Sequence, residues 1–170
     1  HEAHKNHGLT YGELLPIGVA VMLNLADAKN GDCYFDLGSG TGKTAVLAWL
    51  LGLDAWGVEL VRERWETSRQ IQKRVVKDSA GDPDKLHFVH KDLLDVDFSS
   101  ADIVFANSLM FPQGVLSYIA STARRMKPGS RIITDAEGQS AALPGPGFRL
   151  QHKLKLPTTW SSGIWFAIHT

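Results

Sequence analysis

The sequence predicts an α/β fold: a seven-stranded, mostly parallel sheet flanked by helices and closed by an antiparallel C-terminal hairpin. Three observations carry this. Short apolar runs alternate with segments of helical period through residues 14–135, the pattern of strands joined by crossover helices. A glycine run, Gly38-Ser39-Gly40-Thr41-Gly42, stands between the first such strand and the next helix. After Pro144-Gly145-Pro146-Gly147 the pattern changes, and two strand-like runs follow with no helix between them.

Each element has its own signal. Leu14, Leu15, Ile17, Gly18, Val21, Met22 and Leu25 recur at helical spacing until Lys29-Asn30-Gly31-Asp32 breaks the period. Cys33–Leu37 reads as a short buried strand, and an apolar helix is expected over residues 43–51. A second strand over 55–60 leads into a charged helix over 62–77, and Leu86–His90 makes a third strand. Residues 101–107 form the fourth, 114–126 a helix stopped by Lys127-Pro128-Gly129, and Arg131–Asp135 the fifth. Residues 148–156 and Ile164–His169 pair as the closing hairpin at the sheet edge. With no internal repeat and no long linker, residues 1–170 are expected to form one domain.

Composition narrows the function classes. An apolar fraction of 44% and a charged fraction of 21% are ordinary for a globular chain. Eighteen basic residues balance eighteen acidic ones, so the electrostatic footprint of non-specific nucleic-acid binding is missing and no strong binding of that kind is expected from this chain alone. The single cysteine, Cys33, cannot close an internal disulfide and suits a reducing compartment. The longest apolar run, residues 45–53, is too short to span a bilayer, so no membrane partner is expected. His87 and His90 are three apart on a strand and face opposite sides, and His1-Glu2 does not open a His-Glu-x-x-His signature, so no metal site is expected. The start at His1, without methionine, leads to the expectation of a piece cut from a longer chain.

The glycine run excludes one nucleotide class by register and weakens a second. A phosphate-binding P-loop needs a glycine five residues before Gly42, and that position is Leu37. A dinucleotide fingerprint needs a third glycine where this chain has Lys43, whose side chain would crowd helix against strand. What remains is Asp36 at a strand end, followed by glycines at alternate positions. Bare backbone lets a ligand approach closely, and a carboxylate suits a ligand bearing an ammonium and hydroxyls rather than a pyrophosphate. S-adenosylmethionine has that chemistry. Glu59 ends the next strand, where doubly wound folds place an acid for ribose hydroxyls, and Asp92 follows the third, in reach of an adenine amino group with Leu93 beside the ring.

Four segments then carry a narrower resemblance. Leu-Thr-Tyr-Gly-Glu-Leu-Leu-Pro ending at Pro16, Asp-Leu-Gly-Ser-Gly-Thr-Gly-Lys ending at Lys43, Gly-Val-Glu-Leu ending at Leu60 and Phe-Ala-Asn-Ser-Leu-Met-Phe ending at Phe111 resemble the motifs of the Dot-one (disruptor of telomeric silencing) histone lysine methyltransferases. These enzymes lack a SET domain and methylate a lysine on the folded surface of histone H3. The resemblance implies a Rossmann-like class I S-adenosylmethionine-dependent methyltransferase fold and a protein-lysine acceptor, histone H3 or the nucleosome first. It also implies a nuclear location if the source is eukaryotic and a cytoplasmic one otherwise.

Carried over residue by residue, the resemblance implies that Tyr11 and Glu13 close over the methionine half of the cofactor and that Gly38, Gly40 and Lys43 lie along it. Glu59 takes the ribose, Asp92 and Leu93 the adenine, and Asn107 lines the site near the transferred methyl. Phe111, Trp160 and Phe166 resemble the aromatic walls of a lysine channel. This chain departs from the family where Lys43 replaces a polar amide, Leu14 a hydroxyl and Phe166 a tyrosine.

Methyl transfer from a sulfonium to an amine is an in-line displacement, so positioning is the main demand on the protein. A desolvated aromatic channel disfavours the lysine ammonium and lowers its pKa, which removes the need for a dedicated base. Two alternatives stay open: a broad-specificity microbial protein-lysine methyltransferase, and a small-molecule methyltransferase on the same fold. A cofactor-binding module without turnover is a third.

Overall fold

A computed structural model of the chain describes residues 13–159 and 163–170. In chain order its elements are α1 (Pro16–Leu25), β1 (Cys33–Leu37), α2 (Lys43–Leu50), β2 (Asp54–Glu59), α3 (Arg62–Asp78), β3 (Leu86–His90), β4 (Ile103–Ala106), α4 (Gln113–Ala123), β5 (Arg131–Asp135), β6 (Leu150–Leu156) and β7 (Ile164–His169). The strands make one seven-stranded sheet in the order β3-β2-β1-β4-β5-β7-β6. Strands β1 to β5 pair in parallel, while β7 runs antiparallel to both β5 and β6. The expected hairpin is therefore present, with the last strand inserted between β5 and β6 and β6 left at the edge.

Strand order reverses at β1, which pairs with β2 on one side and β4 on the other. In such sheets ligands bind beyond the carboxyl ends of the strands at this switch point. The fold thus brings the exits of β1, β2 and β4 together, and with them Asp36, Glu59 and Asn107.

Alternation of strand side chains builds two cores. On one face Tyr34, Ala55, Leu86, Phe105, Ile133 and Phe166 pack against α1 and α2, through Val19, Met22, Ala45, Ala48 and Trp49. On the other, Phe35, Leu37, Val58, Val104 and Ile132 pack against Leu116, Ile119 and Ala123 of α4. Helix α3 buries only Ser68 completely and rests on the first core through Trp65, Ile71, Val75 and Val76. Its remaining surface is charged, as the sequence indicates.

Local boundaries follow from named residues. Pro16 opens α1, where its fixed φ suits the helix and its missing N–H is not needed. The helical period of the sequence begins earlier, at Leu14, but Leu14 lies outside α1: it is buried and forms an isolated antiparallel bridge to Thr158. The end of α1 is tied down by Arg131, whose Nε donates to the Ala26 carbonyl (2.6 Å) and whose guanidinium also meets Asp32 (3.1 Å). One side chain of β5 thereby holds both the last turn of α1 and the entry to β1.

The connection from β3 to β4 carries a 3-10 turn (Leu93–Asp95) and no α-helix. The second face is left partly open there, over a cavity of about 440 Å³ lined by Cys33, Phe35, Trp56, Val89 and Val96 among others. Burial pushes the Cys33 thiol up to about 11, and the Asp54 and Asp102 carboxylates add to the shift. Cys33 is therefore a packing thiol and not a nucleophile at neutral pH. Among the described residues no helix is long and apolar enough to cross a membrane, and no three His, Cys, Asp or Glu side chains are grouped to hold a metal ion.

Candidate active site

The glycine run forms a loop over the end of β1. Gly38, Gly40 and Gly42 all have positive φ (80°, 57° and 84°), a region that side-chain-bearing residues rarely adopt. The N–H groups of Gly38 and Ser39 both donate to the Val58 carbonyl (2.9 Å each), which folds the loop back onto β2. At Gly42 a Cβ would stand 2.4 Å from the Phe88 ring, so this glycine is what lets α2 approach the sheet. The close-packing role therefore falls to Gly42 and not to the next position, and the expected crowding by Lys43 does not arise because its side chain points to solvent.

Three acidic side chains gather around that loop. Glu59 is 6% exposed; its Oε2 accepts from Gly40 N and its Oε1 from Val61 N, each at 2.8 Å. Asp36 is 2% exposed and lies on the same sheet face. Burial pushes the Asp36 carboxyl up to about 8, with the Glu59 and Glu13 charges adding to the shift. The Oε1 of Glu13 accepts from the Thr41 hydroxyl (2.6 Å), and its other oxygen forms an ion pair with Lys43. Lys43 thus partly neutralises one acid of the cluster, from the rim.

Asp92 stands at the exit of the neighbouring strand. Its carboxylate accepts from Leu94 N (3.0 Å) and caps the 3-10 turn, with Leu93 packed against the second core. Lys91 N donates to the Glu59 carbonyl (3.1 Å), which keeps this exit beside the end of β2. Glu13, Asp36 and Glu59 therefore meet, with Asp92 one strand away. Such a site repels a pyrophosphate and fits a ligand with positive charge and hydroxyls: among the described residues, no cation pairs with buried Asp36, and each Glu59 oxygen keeps a lone pair beyond its backbone bond.

The other wall of the site follows β4. Asn107 is half-buried directly beyond that strand. The next residues are pinned by Asp135, at the end of β5, whose Oδ2 accepts from Ser108 N, from the Ser108 hydroxyl (3.3 Å) and from Leu109 N (2.9 Å). Phe111 is half-buried and lies over the glycine loop; a Cβ at Gly38 would come within 2.9 Å of its Cζ.

Phe166 corrects an expectation. Its side chain is fully buried and its ring lies tilted against Phe105, 5.7 Å between centroids, in the first core. The inward position on β7 makes it a packing residue, not the wall of an open channel. Tyr11 and Trp160 lie outside the described residues.

Two features escape a reading of the sequence. Asp135 ends β5 as Glu59 ends β2 and Asp36 nearly ends β1, so an apolar run closed by an acid is its available signal. The residues around Glu13 are also placed by a distant partner. Thr159 N donates to the Glu13 carbonyl (2.9 Å) and Leu15 N to the Pro157 carbonyl (3.1 Å), flanking the Leu14–Thr158 bridge. This short ladder fastens the segment before α1 to the connection between β6 and β7.

With this geometry in view, the chain matches the family described as histone methylation protein DOT1 over residues 4–141. It belongs to that family. Among the curated DOT1-like relatives, a protein of Aspergillus fumigatus named histone-lysine N-methyltransferase, H3 lysine-79 specific, is 30% identical over 134 residues, 73% of this chain and 26% of the relative. A protein of the same name from Emericella nidulans is 28% identical over 135 residues, again 73% of this chain and 26% of the relative. The chain therefore spans about a quarter of the length of these relatives. Among solved structures, the magnesium protoporphyrin IX methyltransferase of Synechocystis with bound SAM superposes with a TM-score of 0.71 at 15% identity, covering 91% of this chain and 78% of that one. That likeness establishes the class I methyltransferase fold.

Proposed function

We propose that this chain is the catalytic domain of an S-adenosylmethionine-dependent protein-lysine N-methyltransferase acting on histone H3 in the nucleosome, with its place of action in the nucleus. The observation that carries the proposal is the acidic cluster of Glu13, Asp36 and Glu59 around bare glycine backbone at the switch point of a DOT1-family chain. S-adenosylmethionine, when bound, supplies an electrophilic methyl that an amine can accept.

Glu13 and Asp36 offer negative charge to the amino-acid and sulfonium end of such a ligand. Glu59 offers its remaining lone pairs to ribose hydroxyls, and Asp92 with Leu93 an acceptor and an apolar surface to adenine. Asn107 lines the acceptor side and Phe111 roofs the glycine loop. For the acceptor lysine, the protein must exclude water around the ammonium so that a proton leaves before attack. Phe111 contributes that apolar surface, and Tyr11 and Trp160 are proposed to complete it.

The test is a transfer assay with methyl-labelled S-adenosylmethionine and, in turn, nucleosomes, free histones and a metabolite extract. Label in a histone H3 lysine is the expected result. Label confined to other proteins would indicate a broad-specificity lysine methyltransferase, label confined to small molecules an acceptor of another class, and binding without transfer a module that assists a partner.

A further inference from the structure

Asp135 is a buried carboxylate that none of the roles above uses, although three donors converge on it. It is 0% exposed, and so is Ser108, which faces it. All three hydrogen bonds fall on one oxygen: from Ser108 N, from the Ser108 hydroxyl at 3.3 Å and from Leu109 N at 2.9 Å. Among the described residues its other oxygen, Oδ1, is buried with no hydrogen-bond partner. Burial pushes the carboxyl up to about 6 against the opposing pull of those N–H bonds. A group held at such cost, where an apolar residue would suit a strand end, calls for an explanation in what it fixes.

The fixed segment is the loop between β4 and α4. Ser108 and Leu109 are its middle, Asn107 precedes them, and Phe111 follows with its N–H donating to the Ser108 carbonyl (2.9 Å). The same turn sets the Phe111 ring against Gly38. Asp135 itself is rigidly mounted. It pairs with Phe166 across β5 and β7, and the next residue, Ala136, donates its N–H to the Trp165 carbonyl (2.8 Å). Leu109 is also close to the backbone beyond β5, its Cδ1 3.3 Å from where a Cβ of Gly138 would stand.

We infer that Asp135 is the positioning residue of the acceptor side: through Ser108 and Leu109 it fixes the loop that presents Asn107 and Phe111 to the glycine loop. The assignment rests on the methyltransferase reading for its effect on turnover, but not for its effect on the loop. Two N–H groups drawn to one carboxylate oxygen hold both the direction and the depth of the loop, which a hydrophobic contact cannot do.

The test compares Asp135→Ala, Asp135→Asn and wild type in three measurements: kcat and KM on nucleosomes, the Kd of S-adenosylmethionine, and amide hydrogen exchange at Ser108 and Leu109. Asp135→Ala is expected to lower kcat at least about tenfold and to speed exchange at both amides by about as much, with the cofactor Kd within about threefold of wild type. Asp135→Asn keeps an oxygen for the two N–H groups, so it is expected to recover most of kcat and to raise exchange only about threefold. A purely structural role predicts a lower melting temperature with kcat per folded molecule unchanged, and that result overturns the assignment. If Asp135→Ala does not fold, Asp135→Asn decides: exchange at Ser108 and Leu109 equal to wild type overturns it. If wild type labels no acceptor, the proposed function fails alone, and the exchange measurement still accepts or rejects the role of Asp135 in holding the loop.

Discussion

With S-adenosylmethionine bound as proposed, the acidic cluster should make its affinity depend on pH, with a slope set by Asp36. In the free protein this carboxyl has been pushed up to about 8 by burial, then by Glu59 and Glu13. At pH 7 it is therefore protonated in about nine molecules of ten. A cationic ligand beside it favours the carboxylate, so binding must expel that proton. Below about pH 8 the apparent Kd then rises about tenfold per pH unit, or about 1.4 kcal/mol, and levels off above.

Isothermal titration with S-adenosylmethionine from about pH 6 to 9, in buffers of different ionisation enthalpy, reads both the slope and the release of about 0.9 proton at pH 7. The matching variant is Asp36→Asn, which stays neutral throughout; its difference from wild type also removes the titration of the ligand's own amino group. A wild-type Kd that stays flat over this range, with heats independent of buffer, would refute the linkage and with it the placement of a cation beside Asp36. The same shift has a sign for stability. Because the folded pKa lies above the unfolded value of 3.8, the folded state holds the proton more tightly, and stability falls as pH rises from about 4 to about 8. Asp36→Asn should therefore raise the melting temperature of the free protein above pH 8.

Three further outcomes are expected. Glu59→Ala strips the acceptor from Gly40 N and Val61 N and should weaken cofactor binding at least about tenfold by calorimetry, whereas Asn107→Ala should lower kcat with the cofactor Kd nearly unchanged; near-normal rates in both variants would count against this site. Phe166→Ala empties a fully buried position and should cost about 3–5 kcal/mol in urea unfolding, and an unperturbed midpoint would show that the residue is not core. Gly42→Ala meets both the positive φ and the 2.4 Å approach of Phe88. It should destabilise by about 2 kcal/mol or more, read as a lower unfolding midpoint.

Much of this architecture was legible in the sequence, for physical reasons that can be named. Strands β1, β3, β5 and β7 have the expected bounds because each is a short apolar run stopped by glycine, proline or charge, and such local signals need no partner to be read. Helix ends were less sharp. The chain from Leu14 to Leu25 keeps a helical period throughout, but Pro16 and the pairing of Leu14 with Thr158 exclude its first residues from α1. That pairing is long-range and leaves no local trace.

The site divides in the same way. Asp36, Glu59 and the glycines are legible because they sit at strand exits, where the topology collects them. The burial of Phe166 is not legible, because alternation along β7 shows which residues share a face without saying whether that face is core or channel. The setting of Asp135 is equally hidden, because which N–H groups converge on it is a fact of tertiary structure alone.

The ladder that joins residues 13–15 to 157–159 bears on how the molecule is born. Glu13 emerges before β1, yet the segment that steadies it follows only after β6. A nascent chain can nucleate β1 to β5 while still tethered, but the corner that holds Glu13 beside the glycine loop stays unfinished until synthesis has passed β6.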